Sequence, residues 1–135
     1  MDQLPGTPWS VRTASGTAGR PAMEVYAGQT LLDVVVATPL TAEILRGARR
    51  TFWNDQPYVV AWGRLPAGDP PIEVRFSLGR AARRQTPGAP RGQVAEVTVV
   101  EEWFWLATAQ GRFDTVTVTR DDLRQQRRIA AVDPA

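Results

Sequence analysis

Two adjacent acids, Glu101 and Glu102, stand in the middle of the densest apolar and aromatic stretch of the chain, Val94–Leu106. Paired carboxylates can divide general-acid and general-base work between them. Neighbours in a regular strand, however, point to opposite faces, so these two could flank one substrate only if the strand breaks between them. Asp121-Asp122 is the other acidic pair, and the alternating oxygen ligands of a calcium loop are missing around it. The 135 residues include no His, no Lys and no Cys. That removes imidazole bases, Schiff-base amines, thiolates, Cys/His zinc sites and the P-loop lysine. The serines, Ser10, Ser15 and Ser77, have no imidazole to activate them. The expectation is a protein that is not an enzyme, with no catalytic residues, no metal site and no small-molecule cofactor.

The arginines are the better candidates. Arg80, Arg83, Arg84 and Arg91 fall within RAARRQTPGAPRGQ, a stretch over residues 80–93 with two Pro, two Gly and no acid. On a mobile loop they could neutralise phosphates while neighbouring aromatics stack on bases. The plainer reading is an exposed loop whose charge keeps it solvated, because a formal net charge of +2 is weak for a dedicated nucleic-acid binder. An acidic protein surface would suit the same arginines. All sixteen basic residues are Arg, which the codon usage of a GC-rich bacterial genome explains without any selected role.

Trp103 and Trp105 are candidate interface aromatics. Two positions apart in a strand, they share a face and are buried or exposed together, and an exposed pair would mark an interface. Trp9, Trp53 and Trp62 complete the tryptophans, and a small β domain uses such rings to fill its core. Trp62-Gly63-Arg64 spells the tripeptide for which WGR domains are named, and Phe76-Ser77-Leu78 follows it. An aromatic-studded helix would come next in that family. Here the proline-rich arginine stretch takes its place, so no family is assigned.

The elements that must position these residues read mostly as strands. Met1–Pro8, with Pro5, Gly6 and Pro8, reads as a loose tail, and residues 131–135 as another. Trp9–Thr13 alternates with period two, Met23–Ala27 returns, and Leu31–Ala37 is apolar on both faces, as a central strand would be. Thr38-Pro39 suits a helix start, and Leu40, Ile44, Ala48 and Phe52 recur at steps of four, which predicts a short helix over Pro39–Arg50. Tyr58–Gly63 is a second interior strand. In Ile72–Leu78 the apolar Ile72, Val74, Phe76 and Leu78 alternate with Glu73, Arg75 and Ser77. Val94–Val100, Trp103–Thr108 and Phe113–Thr119 follow, and Asp121–Val132 fits either a short helix or one more hairpin arm.

These elements predict one globular domain. It is mainly β, most simply an antiparallel β-sandwich of about seven strands with one short helix. The alternative is α+β, with that helix packed on a curled antiparallel meander. Two consecutive Glu would force one carboxylate onto the apolar face of a continuous strand, so Glu101-Glu102 is expected to interrupt it as a bulge, bend or tight turn. With no apolar run long enough for a leader or a membrane span, the expected setting is cytoplasmic, without membrane insertion. The expected function is a non-catalytic interaction or structural module that works through protein–protein contacts or self-association. Nucleic-acid or polyanion binding through Arg80–Arg91 is the alternative.

Overall fold

The computed structural model describes residues 2–15, 17–38, 43–65, 71–79 and 92–132. The N-terminal third is an antiparallel meander of β1 (Asp2–Gln3), β2 (Trp9–Ser15), β3 (Pro21–Ala27) and β4 (Thr30–Val36), in that spatial order. The expected loose tail is instead docked. Asp2 and Gln3 pair with Val11 and Ser10, and Leu4 packs against the apolar core. Pro5-Gly6 makes this return feasible, with Gly6 at φ 72° where a side chain would be strained. Buried Thr7 then ties the loop, its hydroxyl donating to the Leu4 carbonyl at 2.8 Å and accepting the Trp9 N–H at 3.2 Å.

The helix expected over Pro39–Arg50 is overturned where it can be followed. Residues 39–42 lie outside the described residues, and β5 (Leu45–Trp53) is a strand paired antiparallel with β6 (Gln56–Arg64). The reason lies in the spacing itself. Ile44, Ala48 and Phe52 are four apart, which satisfies a period of two as well as one of 3.6. The hairpin decides between them: Asn54 and Asp55 sit at φ 52° and 60°, the left-handed pair of a tight turn that these residue types tolerate. Phe52, which continues the four-residue spacing past Arg50, is 59 % exposed. The register shifts between Leu45 and Gly47, so Arg46 is the extra residue of a bulge.

The remaining strands are β7 (Glu73–Ser77), β8 (Gly92–Ala95), β9 (Val97–Val100), β10 (Phe104–Gln110), β11 (Thr115–Arg120), β12 (Leu123–Arg128) and β13 (Ala130–Ala131). They form two more sheets, ordered β13-β5-β6-β10-β9 and β12-β11-β7-β8. The ambiguous C-terminal stretch is a hairpin arm, turned at Asp121 (φ 51°) so that β12 pairs antiparallel with β11. The chain then continues as β13, parallel to β5, so the expected C-terminal tail is held at Ala131.

The architecture is mainly β, antiparallel and sandwich-like, with three layers where two were the simplest expectation. The five-stranded sheet lies in the middle. From β6, Val59 and Ala61 face one cluster with Val74, Phe76, Val116 and Val118 of the third sheet. Val60 and Trp62 face another with Trp9, Met23, Val25 and Val35 of the meander. β10 alternates in the same way, Trp105 and Ala107 to one side and Phe104 and Leu106 to the other. A fully buried side chain of this size contributes about 1.5–3 kcal/mol, so a sheet covered on both faces carries much of the stability. The apolar character of β6 on both faces is thus explained by position. That of β4 is not: β4 is an edge strand, with Val35 buried but Leu31 and Val34 49 % and 40 % exposed.

Candidate functional site

Trp62, Gly63 and Arg64 all have structural work. The Trp62 ring lies across Gly47 of the bulge, where any side chain would collide with it. Its indole N–H donates to Asp33 Oδ2 at 2.9 Å. Gly63 leaves room for the Ile44 carbonyl, which accepts the Trp105 indole N–H at 3.0 Å. The Arg64 Nε donates to the Val36 carbonyl at 2.8 Å. Trp62 and Arg64 thus tie the middle sheet to β4 of the meander, and Gly63 makes room for the contact between Ile44 and Trp105.

Glu101 and Glu102 interrupt the strand, as expected. They sit at φ 52° and 63°, and the Trp103 N–H donates to the Val100 carbonyl at 3.3 Å, so β9 and β10 are two arms of a hairpin. The same turn overturns the expectation that Trp103 and Trp105 share one fate. Trp105 is fully buried, whereas Trp103 belongs to the turn and is 51 % exposed. Strand alternation begins only at Phe104. Arg80, Arg83, Arg84 and Arg91 lie outside the described residues.

The sheet edges differ in how open they are. β1 and β13 are two residues long. At β4, the Val34 N–H is taken by its neighbour Asp33 Oδ1 at 2.9 Å and the Val36 carbonyl by Arg64. β12 faces β5, where Gln125 Oε1 accepts the Ile44 and Leu45 N–H groups, both at 2.8 Å. The remaining edge is β8 with β9, which run on from one another through Glu96 and border two sheets at once. Among the described residues nothing hydrogen-bonds to the outer side of β9.

No protein-family model, curated protein or solved structure matches this chain. The candidate site therefore stands on geometry alone.

Exposed apolar side chains stand on both strands of this edge and on the turn that ends it. Val94 is 51 % exposed, Val99 54 % and Trp103 51 %. Trp103 also lines a cavity of about 350 Å³ between the β9–β10 turn and the ends of β2 and β3, with Thr13, Ser15 and Glu101. Exposed Glu96, Glu101 and Glu102 make the rim acidic. Sequence reasoning found Trp103 but missed Val94 and Val99. Their alternation reads the same whether a strand is interior or at an edge.

Among the described residues no three Asp or Glu side chains cluster as metal ligands would. Asp33 is committed to Trp62 and to Arg46 Nε at 3.1 Å, an arrangement that holds Arg46 more firmly protonated than a free guanidinium. Asp114 Oδ1 accepts from Gly79 N at 2.7 Å and from the Thr115 hydroxyl at 2.8 Å. Asp121 and Asp122 are an exposed turn.

Proposed function

We propose that this protein is a non-catalytic interaction module that docks an extended partner segment on the β8–β9 edge, with Trp103 as the anchoring side chain. One observation carries the reading. The open edge strand of the middle sheet carries half-exposed Val99 and ends in the turn that carries half-exposed Trp103, while the other sheet edges among the described residues are short, capped or covered. An added strand would gain main-chain hydrogen bonds from the edge and specificity from the side chains beside it. Burying an exposed aromatic anchor of this kind is the usual source of a dominant contact.

The acidic rim selects a basic occupant. A second copy of the chain offers one in the acid-free stretch Arg80–Arg91, so self-association between that stretch and the edge is the form of the proposal that can be tested without a further component. Sedimentation velocity from micromolar to millimolar protein tests it. Association that is weakened by Trp103→Ser, and separately by replacing Arg80, Arg83, Arg84 and Arg91 with Gln, is expected. A strictly monomeric species across the range contradicts it.

A second reading, binding of nucleic acid or another polyanion, draws support from β12, where Arg124, Arg127 and Arg128 are all exposed. It would use Arg80–Arg91 as well. Oligonucleotide affinity measured against salt separates the two, because phosphate contacts give a steep salt dependence that Trp103→Ser would leave in place.

A further inference from the structure

A second concave site lies at the seam where β12 meets β5. It is a cavity of about 250 Å³ whose walls include Asp33, Glu43, Arg46, Arg49, Trp62 and Arg127. Three guanidinium groups thus meet two carboxylates. Asp33 Oδ2 already accepts from Trp62 Nε1 at 2.9 Å and from Arg46 Nε at 3.1 Å. Glu43 lies 3.9 Å from Arg64.

Arg49 and Arg127 are differently placed. The Arg49 guanidinium sits over the Trp62 ring, 6.0 Å from its centroid, and donates to the Ala48 carbonyl at 2.8 Å. Arg127 alternates with Gln125 along β12, and Gln125 reaches across the seam to the β5 backbone, so strand periodicity puts Arg127 on the seam side. Among the described residues neither Arg49 nor Arg127 forms an ion pair with a carboxylate. Two like charges lining one cavity repel, and an anion between them reverses the sign of that interaction. The planar guanidinium fork is matched to oxygens held at the spacing found in carboxylates and phosphates.

We propose that the seam cavity binds a small oxyanion, a carboxylate or a phosphate, between Arg49 and Arg127, with the Trp62 ring holding Arg49 in place. This site is separate from the β8–β9 edge and does not rest on the function proposed for it.

Isothermal titration of the full chain at constant ionic strength tests it, with inorganic phosphate in one arm and succinate in the other. Saturable binding of at least one is expected, and the tighter arm identifies the source chemistry. Arg49→Gln and Arg127→Gln should each weaken it by about tenfold or more, the scale of one charge-assisted hydrogen bond. Arg124→Gln removes the same charge from the same strand, but its side chain contacts Gln126 and is not part of the cavity wall, so it should leave the affinity unchanged. If circular dichroism shows Arg49→Gln to be misfolded, exposed Arg127 decides the matter alone. No saturable binding in either arm, or an equal loss with Arg124→Gln, overturns the proposal.

Discussion

The Trp62 indole N–H donates to Asp33 Oδ2 at 2.9 Å, joining residues 29 positions apart on strands of two different sheets. Asp33 also binds Arg46 and takes the Val34 N–H, so one carboxylate anchors the edge of the meander to the middle sheet. Replacing it with Ala leaves a buried indole N–H unpaired and frees the bulge residue. We expect Asp33→Ala to lower stability by about 2 kcal/mol, the cost typical of losing a hydrogen bond to a charged group. Urea unfolding followed by tryptophan fluorescence measures this, and an unchanged midpoint would show that the sheets are held by apolar packing alone.

Two glycines are required by contact rather than by backbone angle. A side chain at Gly63 would collide with the Ile44 carbonyl, and one at Gly47 with the Trp62 ring. The first obstacle is backbone immediately before β5, the second a fully buried ring. Gly63→Ala should therefore cost more than Gly47→Ala, each at or above the roughly 1–3 kcal/mol typical of overpacking. Thermal unfolding of the two variants gives the order directly, and a reversed order would mean that Trp62 is the less movable neighbour.

Tyr26 supplies a pH-dependent contact. Its hydroxyl donates to Glu24 Oε1 at 3.0 Å, and that hydrogen bond, followed by partial burial and the negative charge of Glu24, raises its pKa above the ordinary 10.0. A raised folded value means that the contribution to stability is complete below the ordinary tyrosine range and is lost as pH rises through the folded value. Absorbance titration near the phenolate band should place the Tyr26 transition above the ordinary value, identified by its loss in Tyr26→Phe. Glu24→Gln should move it down. A transition unmoved by Glu24→Gln would assign the shift to burial.

Particular residues show how far the sequence could be read. Ile72, Val74 and Phe76 alternate cleanly with polar residues, and β7 lies where that pattern puts it, with one face buried against the middle sheet. Val59–Trp62 is apolar without alternation, and β6 is indeed covered on both faces. Glu101-Glu102 could not both be accommodated in one strand, and the chain turns there. The failures share one physical cause, which is that local pattern does not encode which strand lies beside which. Ile44, Ala48 and Phe52 fit a helix and a strand equally, and only the left-handed Asn54-Asp55 turn and the pairing with β6 separate them. Leu31–Ala37 carries the composition of an interior strand, but β4 has a neighbour on one side only, and Asp33 and Arg64 cap its open side. Of the candidate site, Trp103 was legible as an aromatic but its exposure was not, because the turn that expels it also breaks the two-residue periodicity linking it to Trp105.

The most direct test of edge docking is amide hydrogen exchange at Val97–Val100, measured on the full chain at low and high protein concentration. The proposal predicts that these amides gain protection as concentration rises, while those of the interior strand β6 stay constant, and that Trp103→Ser abolishes the gain. Exchange at Val97–Val100 that is independent of concentration, or a gain that persists in Trp103→Ser, would contradict docking on this edge through Trp103.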